Sequence, residues 1–214
     1  MKLNVSKIVL RESYMSIEKS FDAETRETVS LEEGIKVYQR DRSNLELKKD
    51  LLDRIRARAV FLSREQFAKR AKDEGRDDPV PMSEFFGFGG VMSRPIINKE
   101  ACPPEHQPYI LTHECLEVLE TGPWVDEREA WKNKHGADNH PQLAVNSHKE
   151  ATHEEYRHAQ TDGMLKQHHD FMVGWAEKLV SEYSGTVPGL VQLVERETVQ
   201  RRHIFEEMLR MEGD

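Results

Sequence analysis

Eight of the ten histidines fall between His113 and His169, interspersed with glutamates. Imidazole and carboxylate are ligands for divalent transition metals, and both also act as bases in catalysis. The tightest grouping is His113-Glu114-Cys115-Leu116-Glu117, inside a stretch whose apolar spacing predicts a helix. Residues four apart on a helix project from one face, about 6 Å apart by rise. His113 and Glu117 can therefore reach one metal ion, while Glu114, turned by ~100°, can approach a water held there. A metal site needs a third protein ligand. The predicted helix from Ala144 to about Leu165 carries His148, Thr152, Glu155 and Ala159 on one face. His148 and Glu155 are separated by about 10.5 Å of helix rise, too far for both to meet the ion easily. His148 is the favoured ligand, with Glu155 as a substitute ligand or as the partner of a ligating imidazole.

This is the geometry of HExxH with a carboxylate in place of the second histidine. The segment RPIINKEACPPEHQPYILTHECLEVLE resembles the strand-then-helix unit of the zincin-like metallopeptidase superfamily, over residues 94–121 and more loosely to 165. The resemblance implies an α+β, mainly α fold with a short edge strand just before the active-site helix. It implies a metal held by His113, Glu117 and His148 or Glu155, with Glu114 as general base for hydrolysis of a peptide or protein substrate. Glu117 stands where that family has its second histidine. The added negative charge weakens the metal as a Lewis acid and makes zinc, manganese and iron comparable candidates.

Plainer readings stand beside this one. His113 and Glu117 would form a solvated i,i+4 pair of small consequence if their helix lay on the surface. Glu150-x-x-His153 and Glu155-x-x-His158 each match a unit of carboxylate-bridged di-iron bundles, but both lie on one helix with their glutamates turned ~140° apart. His168-His169 reads as surface or helix-cap histidine. Cys115, on the apolar side of its helix, reads as a desolvated thiol and not a nucleophile.

The elements that must position these residues are mostly helical. Ser30 followed by Glu33 reads as a capping box opening a helix, and Ser43 or Asn44 opens the next. Leu45, Leu51, Leu52, Ile55, Ala59, Leu62, Phe67 and Ala71 then predict one amphipathic helix to about Glu74, with a break offered at Ser63. Residues 74–95 read as a long loop anchored by Phe85, Phe86 and Phe88, and Pro95–Asn98 as a short edge strand. The helix carrying His113 is expected from about Gln107 to Thr121, ahead of Gly122-Pro123. A further helix runs through FMVGWAEKLVSEY, with Trp175 as a core or lid anchor. A last one from Pro188 to Met211 bears a broad apolar face interrupted by Glu197 and Arg201.

With 37% hydrophobic and 33% charged residues over 214 positions, part of the chain should be long solvated helix. A net charge of −8 argues against nucleic acid or anionic membrane as a partner, and the Arg54, Arg56, Arg58 run reads as solvated helix surface. No stretch is long and apolar enough to span a bilayer and the N-terminus lacks a signal pattern, so a cytoplasmic protein with reduced cysteines is expected. The organisation expected is an N-terminal helical arm at 1–78, a metal-site domain at 79–185 and a C-terminal amphipathic helix at 186–214. The flanks suit homo-oligomer or other assembly contacts. That opens a second class of function, a structural protein, for example of a phage particle, whose zincin-like unit binds metal without catalysis or is a relic.

Overall fold

A computed structural model describes residues 29–75, 81–90, 94–121 and 141–211. The beginning of the expected N-terminal arm and the segment 122–140 lie outside them. Among the described residues the protein is mainly helical with one small sheet.

Helix α1 (Leu31–Arg40) starts at Ser30, whose hydroxyl accepts from Glu33 N, and α2 (Leu45–Arg56) starts at Asn44, whose side chain accepts from Leu47 N. These side-chain caps satisfy backbone donors that no helix can satisfy internally. Their apolar stripes close on each other and on a later helix, α4 (Gln107–Thr121), burying Leu31, Ile35, Tyr38, Leu47, Leu51 and Ile55 against Cys115, Val118 and Leu119. Gln39 donates from its amide to the carbonyls of Leu119 and Glu120, tying α1 to the C-terminal turn of α4.

The single amphipathic helix predicted over 45–74 is instead two helices flanking a strand. After α2 the chain tightens through Ala57 and Arg58, runs as β1 (Val60–Leu62), and enters α3 (Arg64–Asp73) through a full capping box between Ser63 and Gln66. Val60-Phe61-Leu62 has the β-favouring side chains for a strand, but its apolar residues also suit a helical repeat. Only pairing with a partner strand decides between them. The arginine run is a solvated surface in which Arg56 and Arg58 are exposed, and each arginine has a partner: Arg54 bonds the Val29 carbonyl, Arg56 bonds Thr112 Oγ1 and Arg58 bonds Glu32.

The long loop predicted over 74–95 contains a 3-10 turn (Met82–Glu84) and a second strand, β2 (Gly87–Gly90). Glycine has poor strand propensity, which hid it. The structural reason for the glycines is close approach. A Cβ on Gly87 would lie 2.7 Å from Glu114 Oε1, and one on Gly89 would lie 3.0 Å from Val118 Cγ2, so small residues on one strand face let α4 lie against the sheet. On the other face Phe88 packs edge-on to Phe67 of α3 at 5.0 Å between ring centres.

β3 (Arg94–Asn98) is the central strand of the order β1-β3-β2, not an edge, parallel to β1 and antiparallel to β2. Pro95 is tolerated there because β1 begins opposite Ile96. The bonded pair Asn98 N to Phe86 O sets the antiparallel alternation, so the missing N–H of Pro95 faces the side that β1 does not reach. Asn98, fully buried, then bonds the carbonyls of Ser83 and Phe85 and accepts from Glu100 N and Ala101 N, turning the chain toward α4.

Helices α5 (Pro141–Thr161) and α6 (Leu165–Tyr183) form a tight hairpin. Gly163 has φ +70°, with Met164 N bonded to Ala159 O and Gly163 N to Gln160 O, a Schellman turn that needs a residue tolerant of the left-handed region. Helix α7 (Pro188–Met211) packs back along α6 and α5, seating Val194, Ile204 and Met208 in the core. The expected boundaries at 78/79 and 185/186 are therefore not structural seams, because the sheet joins residues on both sides of the first and α7 shares cores with the elements before the second. No helix among the described residues is long and apolar enough to cross a membrane.

Candidate metal centre

Helix α4 is the axis of the molecule, and it is buried nearly all round. Toward α1 and α2 it presents Cys115 and Leu119, toward the sheet Glu114 and Val118, and toward α5 His113 and Glu117. The sequence suggests one buried face and one open to a cleft, yet His113 and Glu114 are both buried, and Glu120 is buried in bonds to Tyr38 and Arg42. The remaining opening is at Glu117 and His148, which are half-buried.

Three candidate ligand atoms converge at that opening. His113 Nε2 lies 3.3 Å from Glu117 Oε1 and 3.2 Å from His148 Nδ1, and His148 Nδ1 lies 2.8 Å from Glu117 Oε1. The fit to a metal can be tested from bond lengths: a tetrahedral ion with bonds of about 2.0–2.1 Å spaces its ligands about 3.3 Å apart. Two of the three separations match, and the third needs to open by about half an ångström from a hydrogen bond to a ligand–ligand edge. Among the described residues this is the His, Cys, Asp and Glu grouping compact enough to hold an ion.

In the metal-free chain protons do the joining. Glu117 Oε1 accepts from both imidazoles, and those two partners overcome the effect of burial and hold the Glu117 carboxyl well below its ordinary range. Burial disfavours charge on His113, but Glu117 and Glu155 outweigh it and push its pKa up to about 10. A metal ion would replace those protons.

Behind His113 lies a buried polar chain. Glu155 Oε2 accepts from His113 Nδ1 at 2.7 Å, while its Oε1 accepts from His168 Nε2 at 2.7 Å and from Arg201 at 2.7 Å. His168 Nδ1 meets His106 Nδ1 at 3.1 Å. Burial would raise the Glu155 carboxyl, but Arg201, His113 and His168 hold it far below its ordinary value, so it is an acceptor only and His113 keeps a proton on Nδ1. Nε2 is thereby the nitrogen turned to Glu117 and His148; it carries a proton to Glu117 in the metal-free chain and would offer its lone pair once a metal displaced that proton.

Of the residues singled out from sequence, His113, Glu117 and His148 come together, and Glu155 sits behind His113. Glu114 lies one helical step round, its carboxylate pressed on the backbone of Gly87. Glu150 pairs with Lys48, and His158 with Thr112, so the two Glu-x-x-His units share no centre. His168 and His169 are not surface residues: His169 is buried, bonded to the Tyr156 hydroxyl and stacked on Phe205. Cys115 is buried and its thiol is pushed up to about 12 by burial, which suits packing and not attack. Trp175 anchors the 3-10 turn by donating to the Glu84 carbonyl. Sequence reasoning missed Arg201 as a site residue, although a charge interrupting an apolar stripe was the available signal.

No protein-family model matches the chain, no curated protein matches it and no solved structure matches it.

Proposed function

We propose that the chain is a metal-dependent hydrolase acting on an amide carbonyl, with His113, Glu117 and His148 holding zinc or a comparable divalent transition metal. The convergence of three ligand atoms on ligand–ligand spacing, from two helices, is the observation that carries this reading. A metal held there supplies Lewis acidity toward a substrate carbonyl and lowers the pKa of a bound water toward ~7. Glu114, next to His113 on α4, would take the proton of the attacking water on its carboxylate and deliver it to the leaving amine, once the carboxylate turns from Gly87 on the sheet side toward the opening. Glu155 holds His113 in one tautomer and orientation.

A purely structural role would call for a continuous uncovered apolar face on the flanking helices. Leu193, Val199, Leu209 and Met211, the exposed large apolar residues of α7, are spread round the helix and do not form a stripe.

The test is hydrolysis of a panel of fluorogenic peptides by the zinc-loaded chain, beside Glu114→Gln. Activity removed by chelation, restored by zinc and reduced about 10²-fold or more in Glu114→Gln supports the reading. A chain that binds metal but cleaves nothing, or cleaves equally well as Glu114→Gln, overturns it.

A further inference from the structure

Helix α7 donates no ligand to the triad, yet two of its residues, one turn apart, lie behind its imidazoles, Glu197 directly at His148 and Arg201 through Glu155 at His113. Arg201, nine-tenths buried, bonds Glu155 Oε1, which also accepts from His168. With Oε1 occupied twice, Oε2 is the oxygen left for His113 Nδ1. Glu197 stands with Oε1 3.7 Å from His148 Nε2, and that nitrogen is buried with no hydrogen-bond partner of its own. His148 thus turns Nδ1 toward the triad and Nε2 toward Glu197, as His113 turns Nε2 toward the triad and Nδ1 toward Glu155.

We infer that Glu197 and Arg201 are positioning residues for the metal centre, so that the C-terminal helix sets its affinity without touching the ion. This rests on the reading of His113, Glu117 and His148 as metal ligands. When His148 ligates through Nδ1 its proton must sit on Nε2, and Glu197 is the acceptor facing it. Arg201 acts at one remove, by fixing which Glu155 oxygen meets His113. The apolar stripe of α7 is interrupted at these two positions because each serves a histidine across the helix interface. Arg202, the neighbour of Arg201, pairs with Glu177 on the exposed side and serves as the control position.

The experiment uses the full chain. Zinc dissociation constants are measured by competition with a chromophoric chelator, and the visible spectrum of the cobalt-loaded protein is recorded, for the parent chain, Glu197→Ala, Glu197→Gln, Arg201→Lys and Arg202→Gln. Glu197→Ala and Arg201→Lys are expected to weaken zinc binding about 10–100-fold and to alter the cobalt spectrum. Glu197→Gln, whose amide oxygen can still accept from His148, should recover part of the loss, and Arg202→Gln should bind as the parent does. Glu197 is half-exposed, so its variants test the inference even if Arg201→Lys folds poorly. Parent-like affinity and spectrum in both Glu197 variants and in Arg201→Lys would overturn the inference while leaving the metal centre intact. A parent chain that binds neither ion would overturn the metal centre itself.

Discussion

The two sides of α4 are buried in opposite ways. Toward α1 and α2 the interior is hydrocarbon, with Leu47, Leu51, Ile55 and Leu119 at or near zero exposure. Toward α5, α6 and α7 the apolar packing is threaded by an ionic network, with Glu155 and His168 at zero exposure and Arg201 nearly so, behind His113. Hydrocarbon packing stabilises roughly in proportion to area removed from water, whereas a buried charge network costs desolvation that its own contacts must offset. An interior that stability alone would fill with leucine is filled with histidine, glutamate and arginine, and the network ends at the three converging ligand atoms. The apolar side holds α4 in place, and the ionic side aims what α4 carries.

Deleting one member of each interior should separate the two roles. Arg201→Met leaves Glu155 buried without its cation and is expected to cost about 3–5 kcal/mol in denaturant unfolding of the metal-free chain. Leu51→Ala opens a cavity on the other side and should cost about 2–5 kcal/mol while leaving zinc affinity within about twofold of the parent. A large loss of zinc affinity in Leu51→Ala would show that the two interiors are not independent. On the sheet side, Gly87→Ala forces the Glu114 carboxylate to move, and a displacement of that kind should lower hydrolysis by roughly 10²-fold with metal content unchanged.

The most gradual effect is in pH, at most about 1.4 kcal/mol per unit for one proton. Because folding raises the His113 pKa to about 10, the metal-free chain binds a proton there that the unfolded chain, near ~6.5, has lost. That contribution is fully present below pH ~6.5 and disappears as pH rises through about 10. Metal competes with the same proton, so the stabilisation by zinc should grow over the range where the metal-free chain weakens. Melting curves with zinc and with chelator from pH 6.5 to 10 check this, and parallel curves would contradict it.

The apolar side was the more legible of the two. Capping residues mark the starts of α1 and α2, Gly122-Pro123 marks the end of α4, and the HECLE spacing with His148 picks out the three residues that converge, because all of these depend on the chain's own local sequence. The strands β1 and β2 were hidden: three residues of β1 continue a helical pattern, and the glycines of β2 exist for contact with Glu114 and Val118, which local sequence does not encode. What His168, Glu197 and Arg201 meet was hidden for a related reason, although the last two stood out as charges in an apolar stripe. A periodic pattern says which residues share a helix face but not what that face meets, and a buried charge differs from a solvated one only by its partner from another helix.

The most direct measurement is the transition-metal content of the purified chain by plasma mass spectrometry, alongside His113→Ala, Glu117→Ala and His148→Ala. The account predicts about one equivalent per chain in the parent and its loss in all three variants, each with helical content retained. A parent chain free of metal and unable to take up added zinc would contradict it, as would variants that keep the full equivalent.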